Sequence, residues 1–306
     1  VKIVIVNPAA GGGKTRRAWA KLAPPLRAAI GPFETSFTAG PGGGAVRAQE
    51  ALRAGATEII AVGGDGTVSE CVDGLFAPGV VRPPELVFGA VSTGTGCDFG
   101  RSFDIAPGAA HCIARLATAQ PRAVDIGRVT VMRDGGEVTR HFANIASLGL
   151  SGAVSAAVNQ AVLLKRLSGR LAFLWGSLQT MRRFRAIPVR ITLDDRPPIE
   201  AGVSLIIVAN GRYFGGGMKA APEADPRDGL FDVVIVRMEA PLRPADIKLM
   251  YSGAHTRLPT VTVARARQVN VVPQGGDPLL ADVDGETPGR APARFEIVPA
   301  ALQLRW

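Results

Sequence analysis

An α/β domain built on a parallel sheet, followed by a β-rich domain, is the fold that this 306-residue sequence predicts. Three observations carry it. Strand-length apolar runs alternate with helical patterns up to about residue 121, glycine-rich turns fall where those strands end, and beyond that point strand runs with hairpin punctuation dominate. Alternation demands crossover connections, so the strands are parallel, and ligands of such sheets bind outside the carboxyl ends of the strands.

The elements follow in order. Lys2 to Val6 reads as a short apolar strand, and Lys14 to Ile30 as a helix that Pro24-Pro25 should kink or split. Phe33 to Thr38 is the next strand, a Gly-Pro-Gly-Gly-Gly turn follows, and Ala45 to Ala54 is helical. Ile59 to Val62 is a strand leading into Gly63-Gly64-Asp65-Gly66-Thr67, and a helix runs on to Phe76. Thr67-Val68-Ser69-Glu70 fits a capping box, with Thr67 as N-cap and Glu70 at N3. Leu86 to Val91 is the fourth strand. After Pro121 the strand runs are Ala123 to Met132, Glu137 to Ile145, Ile187 to Leu193, Gly202 to Ala209, Leu230 to Val236, Val261 to Ala264, Gln268 to Val272, Leu279 to Val283 and Phe295 to Val298. The predicted domains are therefore 1–121 and 122–306, the last strand free to return to the first domain.

Three glycine-rich turns, Asn7 to Gly13, Gly63 to Thr67 and Ser92 to Gly96, fall at the ends of the first, third and fourth strands. Glycine lets backbone N–H groups approach an anion, and a following helix N-terminus adds roughly half a positive charge. Converging on one sheet edge, they make a phosphate site. Asp65, the carboxylate in the middle turn, would be repelled by bare phosphate, which points to a cation or an acceptor hydroxyl beside it, and so to phosphoryl transfer. Neither common phosphate motif is present: a Walker A spacing would need glycine where Pro8 stands, and a dinucleotide fingerprint would need glycine where Phe99 stands.

Composition narrows the classes further. Cys71, Cys97 and Cys112 have neither C-x-x-C spacing nor an even count, which argues against a disulfide framework and a zinc site and for a reducing compartment. His111, His141 and His255 are scattered and read as surface or packed residues. No apolar run reaches the length of a membrane span, so a soluble chain is expected. The net charge of +9 is concentrated: between Val138 and Leu193 there are 8 Lys or Arg and no Asp or Glu. Within that stretch a helical insert, about 153–185, alternates basic and large apolar residues, as an anionic membrane surface attracts; a helix pair with one solvated basic face gives the same pattern. With 6% aromatic residues that do not interleave with the charge, nucleic acid is not the expected partner.

Together these motifs resemble the diacylglycerol, sphingosine and ceramide kinase family. Asn7-Pro8-Ala9-Ala10-Gly11-Gly12 is similar to its Asn-Pro-x-x-Gly opening, Gly63 to Thr67 to its Gly-Gly-Asp-Gly-Thr core, and Thr93 to Phe99 to its Gly-Thr-x-Asn-Asp-Phe motif. Pro222 to Asp232 resembles its Pro-x-Ala-x-x-x-Asp-Gly-x-x-Asp segment and Asp284-Gly285-Glu286 its Asp-Gly-Glu. Cys97 departs from the pattern, standing where most members have Asn. The resemblance implies a two-domain NAD kinase/diacylglycerol kinase-like fold with the active site in the cleft, ATP and magnesium as cofactors, and phosphoryl transfer to a lipid hydroxyl. ATP would then be held by Asn7, Gly63, Gly64, Gly66, Thr67, Thr93, Gly94, Thr95 and Gly96, and magnesium by Asp65 and Asp98. Glu286 is expected to take the acceptor's proton, with Asp65 the rival. Asp228, with carbonyls at Asp225 and Leu230, resembles a second, structural magnesium site. The acceptor lipid, diacylglycerol or a ceramide or sphingoid base, is not decided by donor-side motifs. A cytoplasmic enzyme resting on the inner face of the membrane, with a homodimer as one open arrangement, is the expectation. An NAD kinase-like enzyme and a non-catalytic lipid-binding protein of the same fold are the alternatives.

Overall fold

The computed structural model describes residues 1–94, 96–160, 184–237 and 244–306. Strands β1 (Lys2–Val6), β2 (Glu34–Phe37), β3 (Glu58–Gly63) and β4 (Val87–Ser92) alternate with helices α1 (Ala10–Ile30), α2 (Gly43–Arg53) and α3 (Asp65–Leu75). Their order in the sheet is β2-β1-β3-β4, every pair parallel. β3 is buried along its whole length, which is why it reads as an unbroken apolar run rather than an alternation. Two further helices, α4 (Asp98–Ser102) and α5 (Ala109–Thr118), follow β4. The sequence reading had no helix between Val91 and Pro121, because α4 hides inside a glycine-rich motif and α5 follows Pro107-Gly108.

Two expectations about helix ends are corrected. α1 stays helical through Pro24 and Pro25, both on its exposed side where water can satisfy the carbonyls they free; the irregularity sits at Gly11, Gly12 and Gly13, all left-handed. The capping box at Thr67 does not form. α3 starts at Asp65, with Gly64 as N-cap, and Glu70 turns to the neighbouring helix, its two oxygens accepting from the N–H groups of Gly42 (2.8 Å) and Gly44 (2.7 Å) at the start of α2. Orphan N–H groups at a helix end need acceptors from somewhere, and α2 has no side-chain cap of its own.

Beyond residue 121 the chain builds a sandwich. β5 (Arg122–Arg133), β6 (Gly136–Phe142), β8 (Ile187–Leu193), β9 (Ile199–Val203), β15 (Gln268–Pro273) and the 16-residue β17 (Arg290–Arg305) extend the first sheet. β17 pairs with β5 along its length, with β15, and in parallel with β4 of the N-terminal strands. The second sheet runs β14 (Val261–Ala266), β13 (Phe231–Val236), β10 (Leu205–Ala209), β7 (Ile145–Gly149), β16 (Ala281–Val283). Between the sheets lie Val129, Phe142, Leu148, Val208, Val233, Val271 and Phe295. Gly127 makes room for the Phe142 ring, since a Cβ there would lie 2.2 Å from Cζ.

The runs Glu137 to Ile145 and Gly202 to Ala209, read as single strands, are each two. At Ala143-Asn144 and at Ser204 the chain steps from one sheet to the other, a change of partner that a continuous apolar pattern does not display. A two-stranded ribbon, β11 (Tyr213–Phe214) with β12 (Met218–Lys219), and helices α6 (Leu150–Gln160) and α7 (Pro244–Ser252) complete the fold. α6 covers the first part of the expected insert; residues 161–183, with Arg182 and Arg183, lie outside the described residues. Among the described residues no helix is long and apolar enough to cross a membrane. All three cysteines are free and buried.

Candidate functional site

The three glycine turns meet at the carboxyl ends of β1, β3 and β4. A Cβ on Gly94 would lie 3.2 Å from the Gly64 Cα, and one on Gly63 would lie 2.3 Å from the Thr67 hydroxyl, so the turns close on one another only because these side chains are missing. Gly64 and Gly66 face open space. Side chains bind the turns together: Asn7 donates from Nδ2 to the Thr67 hydroxyl (3.0 Å) and accepts at Oδ1 from the Ala9 N–H (3.0 Å). The Thr15 and Thr93 hydroxyls are 2.6 Å apart, and the Thr93 N–H donates to the Gly63 carbonyl at 2.8 Å. Asn7, Thr67 and Thr93 are thus brought together as expected, each already holding the frame; Thr95 lies outside the described residues. Cys97 has a left-handed backbone, as Asn readily adopts, and its Sγ sits 2.9 Å from the Ser92 hydroxyl and 3.4 Å from the Gly94 carbonyl. The thiol does part of an amide's work in folding this loop back on itself.

Asp65 and Asp98 stand beside this frame. Asp65 Oδ1 accepts from the Phe99 N–H (3.2 Å), and a Cβ on Gly96 would lie 2.9 Å from Asp65 Oδ2. Asp98 is 7% exposed; its Oδ2 accepts from the Gly216 N–H at 2.7 Å, while its buried Oδ1 has no hydrogen-bond partner and the Arg101 guanidinium is 4.0 Å away. Burial raises the Asp98 carboxyl above its ordinary range; the Gly216 N–H pulls it back and the charge on Asp65 adds to the rise. Among the described residues no group of three or more His, Cys, Asp or Glu side chains forms a ready metal cage. Two carboxylates with one orphaned oxygen suit an oxygen-seeking divalent cation that shares its remaining positions with phosphate and water.

Across from them, the turn after β16 carries Asp284 and Glu286. Asp284, with a left-handed backbone, accepts at Oδ1 from Ile145 N–H (2.8 Å) and at Oδ2 from Ala143 N–H (3.3 Å). Burial pushes it up to about 7 despite those bonds, with Asp282 and Asp65 contributing to the rise. In the sequence Asp284 stands only as the first residue of the Asp-Gly-Glu motif, with no role of its own; its place within reach of the Asp65 charge is a tertiary fact. Glu286 is exposed as a residue, yet partial burial of its carboxyl, with Glu70 beside it, raises it, and Arg140 offsets some of that rise.

The expected second magnesium site fits poorly. The Asp228 carboxylate is engaged by the Arg265 guanidinium and by the Leu230 N–H, and the Asp225 carboxylate by Arg227 at 2.9 Å. The Asp225 carbonyl accepts from the Asp228 N–H. A cation is already present there, on an arginine. Asp125, which the sequence reading missed, holds this segment instead: its carboxylate accepts from Gly229 N–H and Ala300 N–H, both at 2.7 Å, and it is 2% exposed. Only the apolar setting of Asp125 within a strand signalled it.

Comparison with known proteins gives concordant matches. Residues 2–129 match the diacylglycerol kinase catalytic domain model, and residues 144–305 match the YegS C-terminal NAD kinase beta sandwich-like domain. The chain is 29% identical over 260 residues to a diacylglycerol kinase of Mycobacterium tuberculosis, covering 83% of this chain and 78% of that one. It is 28% identical over 295 residues to a diacylglycerol kinase of Staphylococcus epidermidis, covering 95% and 87%. A solved structure of a diacylglycerol kinase from Bacillus anthracis superposes with a TM-score of 0.71 at 22% identity, covering 100% of this chain and 96% of that one, a likeness of fold. Another structure from the same organism gives 0.76 at 25% identity, covering 100% and 94%.

Proposed function

Because the chain belongs to the lipid kinases that join a diacylglycerol kinase catalytic domain to a YegS C-terminal NAD kinase beta sandwich-like domain, we propose that it transfers the γ-phosphoryl group of ATP to the primary hydroxyl of a long-chain lipid. The observation that carries this reading is the orphaned, buried Asp98 oxygen beside Asp65, at the meeting of open glycine turns. Backbone N–H groups of the Gly63 to Thr67 and Thr93 to Gly96 turns would cradle phosphate, and Asn7 and Thr67 hold the turns in that shape. Asp65 and Asp98 would hold magnesium, directly or through water. When bound, that ion offsets charge on the transferred group. Glu286 would accept the hydroxyl proton, its raised carboxyl closer to neutral pH than an ordinary glutamate, with Asp284 steadying the hairpin that presents it.

The acceptor is diacylglycerol or a ceramide or sphingoid base, each offering a primary alcohol on a long apolar body. The basic stretch of residues 163–185 would dock a cytoplasmic enzyme on the anionic inner face of the membrane. The test is incubation of the purified protein with labelled ATP and a total lipid extract, NAD serving as control acceptor. Label in a lipid that depends on magnesium supports the reading; label in NAD alone, or none, overturns it.

A further inference from the structure

Asn144 stands where the chain steps from β6 in the first sheet to β7 in the second, and it is buried. On either side of it, the N–H groups of Ala143 and Ile145 hold the two Asp284 oxygens, and with them the turn that carries Glu286. Its side chain reaches two other elements. Oδ1 accepts from the Ser102 hydroxyl, at the end of α4, at 2.8 Å, and Nδ2 donates to the Tyr213 carbonyl, at the start of β11, at 2.6 Å. The Asn144 carbonyl accepts from the N–H groups of Asn210 (2.9 Å) and Gly211 (2.7 Å), just beyond β10. Ser102, also buried, is as fully used: its proton goes to Asn144, and its oxygen accepts from the N–H groups of Arg212 (3.0 Å) and Tyr213 (3.3 Å). Only glycine fits at 211, because a Cβ there would collide with Asn144 Oδ1 and lie 2.7 Å from the Ser102 hydroxyl. A few residues on, the same segment brings the Gly216 N–H to Asp98 Oδ2.

α4 is five residues long, with Asp98 at one end and Ser102 at the other, so a tie at Ser102 is a tie on Asp98. One amide side chain is therefore shared by both halves of the site. Any buried amide needs partners, and local ones would serve for stability; these come from α4, from the ribbon and from the segment after β10, which fixes the three against one another. Phosphoryl transfer depends on such placement, since the attacking and leaving oxygens must stand in line. Resting on the lipid kinase reading above, we propose that Asn144 is a positioning residue for the transfer. Through Ser102 and the segment from Tyr213 to Gly216 it orients Asp98, and through Ala143 and Ile145 it places the Asp284 to Glu286 turn. It thereby sets the gap across which the phosphoryl group passes. Nucleotide binding does not run through it, because the glycine turns are held by Asn7, Thr67 and Thr93.

The experiment compares the wild-type chain with Asn144→Ala, Ser102→Ala and the two combined, at a temperature where each is folded by circular dichroism. Each single change should lower kcat ~10-fold or more, as a small displacement of positioned groups does, and raise the magnesium concentration for half-maximal rate while the KM for ATP holds. The double variant should lose little more than the worse single one, the sign of two residues acting through one contact. A second readout needs no substrate. In amide hydrogen exchange, Ser102→Ala should speed exchange at 143–145 and in the Asp284 to Glu286 turn as well as at 212–216, whereas a plain brace would loosen only the segment it touches. Variants that are less stable, yet keep the wild-type kcat and magnesium dependence, overturn the inference and leave the kinase reading standing. Losses that multiply in the double variant overturn it too. If the wild type phosphorylates no lipid, the kinase reading falls, and the exchange pattern still decides whether the two sides of the site are joined. If Asn144→Ala does not fold, Asn144→Asp, of the same shape but with an oxygen facing the Tyr213 carbonyl, takes its place.

Discussion

Among the described residues the Asp65 carboxylate takes one hydrogen bond, from the Phe99 N–H, so Asn can replace it without disturbing the start of α3. Asp65→Asn should therefore leave the melting temperature nearly unchanged while lowering turnover ~10²-fold or more, as removal of one electrostatic stabiliser does. Turnover near the wild-type value, with the same magnesium requirement, would refute its role. Glu286→Gln separates base from ligand: kcat should fall while the KM for ATP holds, and an equal loss of ATP binding would move Glu286 to the nucleotide side. Asp65, Asp98 and Glu286 were all legible in the sequence because each stands in a short motif whose glycines have few other uses. Asp284 was legible only as part of its motif and Asp282 not at all, since what distinguishes both is their burial, which only the folded chain reveals.

Among the elements, α2 depends on a residue that does not belong to it. Glu70 on α3 supplies acceptors to two N–H groups at the α2 N-terminus, and Glu70→Ala should cost about 1–2 kcal/mol, read as a lower midpoint in denaturant unfolding with an unchanged slope. Glu70→Gln, which keeps an acceptor, should recover part of the loss. The strand and helix pattern of the first domain could be read directly, because period 2 and period 3.6 are local properties. Glu70 was assigned to its own helix for the same reason: a capping box is a local pattern, and the acceptor was taken by a competing partner remote in sequence. The strands that change sheets at Ala143-Asn144 and Ser204 escaped for a related cause, since an apolar run looks the same whichever sheet it joins.

For the molecule as a whole, titration should be visible in stability. Asp282 is pushed up to about 6 and Asp284 to about 7, mainly by burial. Each then binds its proton more tightly folded than unfolded, where an aspartate titrates near pH 4. Between roughly pH 4 and 7 the native state keeps protons that the unfolded chain has released, so stability is highest at the acid end and falls as pH rises through that window. The melting temperature should decline across it, and Asp282→Asn should flatten the decline; an unchanged slope would show that Asp282 titrates normally. The basic insert belongs to the same scale. Replacing Arg182, Arg183 and Arg185 with Gln should weaken binding to anionic vesicles, the effect fading as salt rises, while a short-chain soluble acceptor is phosphorylated nearly normally. Vesicle binding indifferent to both charge and salt would make these arginines an ordinary solvated face.

The path of β17 bears on how this chain comes to be folded. Gln303 to Arg305 complete the sheet beside Val87 to Gly89, and Ala300 takes up one oxygen of Asp125. During synthesis the parallel sheet must wait, with β4 unpaired on one edge, until Gln303 to Arg305, far downstream of it, have left the ribosome. Contacts between such distant residues form slowly, and an open strand edge invites pairing with other chains in the interval. Premature termination before residue 300 should therefore yield aggregated protein rather than a folded first domain, and the last strand governs the solubility of the first.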